Sequence, residues 1–173
     1  MRQSKRIVCL GLAALLLACG WGCGPKEQPD PGKDVDVTAL AQAMMDADPT
    51  LPEMVTVAGE GDKGDKGAAD FSYLSNLEVY KLVDAYCYAA ADAGTAEEIA
   101  VVKLKDAGDA AALMDALHKH VEQRQGTFRE YDPSQVPLTE GAVIVREGRY
   151  VALIVCQKSG LVQNVFRDSF REN

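Results

Sequence analysis

The chain has 173 residues and carries 26 acidic against 18 basic side chains, a formal net charge of −8. One domain is expected at this length, and a hydrophobic content of 47% is enough to build a core. The acidic balance argues against nucleic-acid binding, which needs clustered Lys and Arg, and against electrostatic docking on anionic lipid.

The N-terminus resembles a bacterial lipoprotein signal. Three cations within the first six residues precede the uncharged apolar run 7–18. That run is shorter than the roughly 20 residues a stable membrane span requires, which favours a removable signal. It leads into Leu16-Leu17-Ala18-Cys19, which is similar to a lipobox, with a small residue at Ala18 before the thiol of Cys19. The sequence therefore predicts cleavage after Ala18, lipidation of Cys19 and a place on the extracytoplasmic face of the bacterial membrane.

Three alternatives remain open for this segment. Cys23 is a second candidate for lipidation, although Gly20 and Trp21 fit the positions before it poorly. The segment could also be an ordinary cleaved signal peptide or an uncleaved anchor. A diacylglyceryl group on Cys19 would bury two acyl chains, which is what stable attachment needs. The Gly- and Pro-containing residues 19–35 would then form a flexible tether to a single domain over 36–173.

The first part of the expected domain is a helix followed by a loop. Asp36 can cap a helix whose apolar residues recur at helical spacing before Pro49. Residues 59–70, rich in Gly and Asp, are expected to be a flexible acidic loop without a helix after Gly64. The loop contains a literal G-x-G-x-x-G, but its acidic residues oppose a pyrophosphate, so we predict no dinucleotide site. Its ligand types leave only weak surface calcium binding open, and we predict no resident metal or cofactor.

Two hairpins and two helices make up the rest of the pattern. The predicted strands are 82–90 and 98–105, then 142–146 and 150–156, with Gly148 in the second tight turn. A helix is expected from Asp106 or Asp109 to about Gln125, ended by Gly126, with Ala110, Leu113, Leu117 and Val121 inward. A closing helix is expected over 159–171, with Leu161, Val162, Val165 and Phe166 inward. The order predicts an α+β fold: a four-stranded antiparallel or mixed sheet of two hairpins, with helices packed mainly on one face.

The two cysteines within the predicted strands, Cys87 and Cys156, allow two interpretations. An exported domain permits a disulfide between them. Both could equally be small core residues, because the sequence does not place the two strands side by side.

Few side chains carry a recognisable chemical motif. The only histidines, His118 and His120, project about 200° apart on a helix and cannot share a metal there. No Ser or Cys shows a nucleophile motif, so we predict no catalytic residue. Glu98 could be buried against Lys103 or an arginine. Phe128 and Tyr131 are either a packing plug or an exposed aromatic recognition surface.

Several short pieces in order resemble the domain-of-unknown-function family 4358, whose members are mostly small lipoproteins of Gram-positive bacteria. The matching pieces are Glu98-Ile99-Ala100-Val101 with Lys103, then Phe128-x-x-Tyr131-x-Pro133, then Gly148-Arg149-Tyr150-Val151. His120 departs from the family pattern, in which an arginine is expected. The resemblance covers about residues 36–170 and implies localisation and a fold type. It carries over no catalytic residue.

The sequence favours a lipid-anchored, non-enzymatic binding or interaction module of the cell envelope. Its partner is an envelope protein or a small ligand, with no nucleic acid. The candidate recognition surface comprises Glu98, Lys103, Phe128, Tyr131 and Tyr150. The alternatives are an enzyme or enzyme accessory whose site is assembled from such separated polar residues, and a small-ligand receptor.

Overall fold

The computed structural model describes residues 33–61, 64–92 and 94–171. The first helix, α1 (Val37–Asp46), begins as predicted: the Asp36 carboxylate accepts a hydrogen bond from the Ala39 amide. Its apolar side, Val37, Leu40, Ala41 and Met44, is buried. Cys19, Cys23 and the whole predicted signal lie outside the described residues.

The sheet has five strands, one more than the sequence predicted. They are β1 (Val55–Glu60), β2 (Val83–Ala90), β3 (Glu98–Leu104), β4 (Val143–Glu147) and β5 (Tyr150–Val155). The spatial order is β1-β2-β3-β5-β4, and every neighbouring pair is antiparallel. Both predicted hairpins, β2–β3 and β4–β5, are present. The added strand β1 is an edge strand with an exposed side-chain pattern, so hydrophobic alternation does not reveal it.

Helices cover both faces of the sheet, which corrects the expectation of helices mainly on one face. On one face lie α2 (Gly64–Phe71), α3 (Leu77–Tyr80), α4 (Ala110–Tyr131) and α5 (Val136–Glu140); on the other lie α1 and α6 (Ser159–Asp168). Alternate residues of β3 and β5 enter the two cores, so every residue of β5 is buried. Continuous apolar strands of this kind are typical of a sheet covered on both sides.

Two helix boundaries and one side-chain orientation also differ from the predictions. A helix does begin at Gly64, inside the segment predicted to be a loop. α4 continues past Gly126, because Phe128 is buried and anchors the last turns, and it ends before Asp132-Pro133. In α6, Val162 and Phe166 face the core as predicted, whereas Leu161 is 54% exposed.

The long helix α4 packs against β4 and β5. At a rise of about 1.5 Å per residue its 22 residues span roughly 33 Å. Within the described parts of the chain, no helix combines the length and apolar character needed to cross a membrane.

Candidate functional site

A carboxylate with no solvent exposure, Glu98, lies at the start of β3 beneath α4. The Tyr88 hydroxyl donates a hydrogen bond to Glu98 Oε2 at 3.0 Å. His120 Nε2 lies 2.8 Å from the same oxygen. Arg124 Nε lies 3.4 Å from Oε1. We call Tyr88, Glu98, His120 and Arg124 the Glu98 network.

The Glu98 network compensates its buried charge incompletely. Although Arg124 Nε and Glu98 Oε1 form an ion pair, neither atom has a hydrogen-bond partner among the described residues. The Arg124 guanidinium instead donates to the Thr95 carbonyl at 3.2 Å and lies 5.3 Å from the centre of the Phe128 ring. Burial, followed by the nearby Glu98 charge, raises the pKa of Tyr88, so its hydroxyl remains a donor at neutral pH.

Helical spacing brings the two nitrogen-containing partners together. His120 and Arg124 are four residues apart on α4, so both project towards Glu98 on the neighbouring strand. The sequence prediction of an arginine partner for Glu98 is confirmed, but the Lys103 alternative is wrong because Lys103 lies on the opposite face. His120 was not predicted to contact Glu98. The signal in the sequence is an acidic residue at the start of an apolar strand, because a carboxylate buried there needs charged or hydrogen-bonding partners.

Two grooves border the Glu98 network along α4. The Tyr131 groove, of about 450 Å³, is lined by Gly94, Arg124, Thr127, Phe128, Tyr131 and Asp132. The Lys119 groove, of about 430 Å³, lies between residues 72–76 and four residues of α4, Ala116, Lys119, His120 and Gln123. Arg124 therefore connects Glu98 to the first groove, and His120 connects it to the second.

The predicted aromatic pair divides between core and surface. Phe128, in the last turn of α4, is buried, as a packing residue would be. Tyr131 is 82% exposed at the rim of the Tyr131 groove. The packing interpretation is therefore confirmed for Phe128, whereas recognition through the exposed Tyr131 stays a prediction.

Lys103 and Tyr150 lie on the other face of the sheet, apart from the rest of the predicted recognition surface. Lys103 Nζ lies 2.8 Å from Asp34 Oδ1 and 3.3 Å from Asp84 Oδ2. The Tyr150 hydroxyl donates to Asp34 Oδ1 at 2.6 Å and accepts from the Val35 amide at 2.8 Å. These contacts hold the segment just before α1 against the ends of β3 and β5.

We call the contacts of Asp34 with Lys103 and Tyr150 the clasp. The pKa shifts of these three side chains favour the protonation states that their contacts require. Hydrogen bonds from Lys103 and then Tyr150 lower the pKa of Asp34 to about 2. Burial opposes the charge of Lys103, but its bonds to Asp34 and Asp84 outweigh that effect and raise its pKa. Burial and the bond to Asp34 likewise raise the pKa of Tyr150. Lys103 and Tyr150 are thus held in their protonated forms, already engaged with Asp34.

Cys87 and Cys156 are both buried free thiols, which corrects the disulfide interpretation. They belong to the core beneath α1 and α6. The central strand β3 separates β2, which carries Cys87, from β5, which Cys156 follows directly. Burial raises the pKa of Cys87 and, aided by Asp48, raises that of Cys156 to about 12, so both behave as core residues.

Among the described residues, no group of three or more His, Cys, Asp or Glu side chains could hold a metal ion. His118 faces away from Glu98; its Nδ1 lies 2.7 Å from the Met114 carbonyl oxygen.

Comparison with known proteins identifies one family. The model named "Domain of unknown function (DUF4358)" matches residues 61–156, more than half of the chain. This match contains β2 to β5, the Glu98 network and both grooves along α4. No curated protein and no solved structure matches the chain.

Proposed function

We propose that this chain, which belongs to the DUF4358 family, is a lipid-anchored binding module on the extracytoplasmic face of the cell membrane. The anchor would be a diacylglyceryl group on Cys19, as the lipobox-like sequence predicts. The following residues would form the tether that joins the lipid to Asp34. Recognition of an envelope partner would take place in the Tyr131 groove.

The observation that carries the proposal is the position of the Tyr131 groove relative to the start of the domain. Asp34 binds Lys103 near the end of β3, whereas Glu98 begins that strand. Five residues of strand separate these positions by roughly 17 Å. The groove also lies on the α4 face, while Lys103 points to the other face. A domain held through Asp34 would therefore present Tyr131 away from its tether.

The side chains of the Tyr131 groove suit recognition of a partner. Tyr131 offers an exposed ring that requires little ordering on binding, a property common to binding hot spots. Arg124, which donates to Thr95 and lies over the Phe128 ring, supplies a cation to the same groove. The groove suits a partner that packs an apolar or aromatic group on Tyr131 and brings a hydrogen-bond acceptor to the guanidinium of Arg124.

Photocrosslinking from Tyr131 tests this assignment. The full chain would carry a benzoylphenylalanine at position 131, with the same group at Leu161, exposed on the opposite face, as the matched control. After irradiation of intact cells, we expect a discrete adduct from position 131 only, lost when Arg124→Gln is added. Equal adducts from both positions, no adduct from position 131, or an adduct insensitive to Arg124→Gln would contradict the assignment.

A further inference from the structure

The strand β1 forms one edge of the sheet and lacks the features that usually keep an edge strand from pairing. Its residues pair with β2 in continuous register, and none of them is Lys, Arg or Pro. The main chain of such a strand is a template for a further strand. The opposite edge, β4, carries the exposed Arg146, a charge of the kind that opposes pairing. Of the two edges that the structure describes, β1 is therefore the one suited to pairing.

The symmetry of a dimer limits how β1 can pair with a second copy of itself. In a two-fold antiparallel pair, the axis passes through one residue that faces its own copy. Facing residues on either side are then equally distant from that residue in the sequence. An axis at Val57, which pairs residues 55–59, or at Ala58, which pairs residues 56–60, gives the longest overlap of the two strands.

The axis at Val57 fits the side chains and the main chain of β1 better than the axis at Ala58. It leaves Glu60 outside the overlap, and the Glu60 carbonyl already accepts a hydrogen bond from the Tyr80 hydroxyl at 2.9 Å. It also places the β-branched Val57 opposite its own copy, a favourable cross-strand pair. No two like charges face each other within residues 55–59.

This register covers an apolar side chain that is otherwise exposed. Val55 is 71% exposed. With the axis at Val57, it faces Gly59 of the second copy. The ring of Tyr86 lies against Gly59, where an added Cβ would come within 2.9 Å of Tyr86 Cε1. Val55 would therefore pack over bare main chain beside an aromatic ring, and the two-fold axis provides this contact twice.

We infer that two copies of this chain pair through β1, with Val57 at the axis, to form one continuous antiparallel sheet. Because such an axis runs perpendicular to the sheet, the α4 faces of both copies lie on one side and both Asp34 residues lie on the other. Copies anchored to one membrane share this orientation, which favours a second copy over a foreign strand. That last argument rests on the proposed anchor, whereas the register and the fit of Val55 do not.

Thiol crosslinking at β1 tests both the pairing and its register. The full chain, expressed in a Gram-positive host, would carry Val57→Cys in a Cys23→Ser background, with Val55→Cys as the matched control. Facing residues have Cα atoms about 4.5–5.5 Å apart, within reach of dibromobimane, which joins two nearby thiols. The two Val55→Cys positions would be offset along the strands by roughly 13 Å. The buried Cys87 and Cys156 stay in place.

Membranes and culture medium would be treated and examined separately. Protein found only in the medium would contradict the proposed anchor, while the crosslinking yield reports the pairing in either fraction.

We expect a product of twice the chain mass from Val57→Cys, and none from Val55→Cys or from the Cys23→Ser parent. Adding Ala58→Lys, at an exposed position beside the axis, should lower this yield about threefold because the two lysines would be neighbours. Ala58→Gln, of similar length but uncharged, should leave the yield unchanged.

Three results would overturn the pairing: no dimer from Val57→Cys, equal yields from Val55→Cys, or no effect of Ala58→Lys. A product that joins Val57→Cys to a different protein would assign the edge to a foreign strand and overturn the second copy as its occupant.

Discussion

Replacing His120 with leucine should destabilise the domain far more than the same change at His118. The His120→Leu substitution removes the 2.8 Å contact to Glu98 and leaves the fully buried carboxylate with Tyr88 and an imperfectly aligned Arg124. A hydrogen bond to a charged group contributes about 1.5–3 kcal/mol, so we expect the free energy of unfolding to fall by about 2–3 kcal/mol. For a domain of this size, each kcal/mol corresponds to about 2–4 °C in Tm.

A double-mutant cycle separates the effect of the buried charge from the loss of packing. Glu98→Gln removes the charge but keeps an acceptor for Tyr88, so His120→Leu should cost only about 1 kcal/mol in that background. His118→Leu, at an exposed position of the same helix, should change stability by less than about 0.5 kcal/mol. Urea denaturation followed by circular dichroism measures all four variants. Additive losses, or equal losses at the two histidines, would refute a role for His120 in compensating Glu98.

Three further predictions follow from other parts of the structure. Folding lowers the pKa of Asp34 from 3.8 to about 2, so its ionised form stabilises the clasp above pH 3.8 and that stabilisation is lost as the pH falls towards 2. The NMR amide signal of Val35 should follow this loss, and Asp34→Asn should remove it; a clasp that opens already near pH 5 would contradict the assignment. Gly126→Ala should stabilise α4 by about 0.5–1 kcal/mol in thermal unfolding, because the added Cβ would meet no described atom within 4 Å outside its chain neighbours and the backbone of its own helix turn. A destabilised variant would mean that the helix does not continue there. Iodoacetamide at pH 8 should modify Cys87 and Cys156 only after unfolding, as peptide mass spectrometry would show, and rapid native labelling would contradict their burial.

The elements with strong hydrophobic patterns were predictable from the sequence. The Asp36 cap, the two hairpins and the buried stripe of α4 all follow local rules that tertiary packing reinforces. A strand over residues 54–58 was considered but left out of the predicted sheet, because an exposed edge strand such as β1 does not need buried alternation. The end of α4 was misplaced because the burial of Phe128 outweighs the weak helix propensity of Gly126.

The candidate site was only partly predictable, because its members meet through strand pairing and helix docking. Strand alternation by itself places Glu98 and Lys103 on opposite faces of the sheet. The sequence alone could therefore have shown that these two residues do not share one recognition surface. The contact between His120 on α4 and Glu98 on β3 could not be predicted, since it depends on which helix face covers which side of the sheet. The contacts of Asp34 join it to Lys103 and to Tyr150, the latter 116 positions away, beyond the reach of any local pattern.

The measurement that tests the central claim most directly is the intact mass of the protein purified from membranes of a Gram-positive host. We predict a chain beginning at Cys19 and carrying a diacylglyceryl group, absent from a Cys19→Ala variant. A mass without lipid, or a modified chain beginning at Cys23, would contradict the proposed anchor.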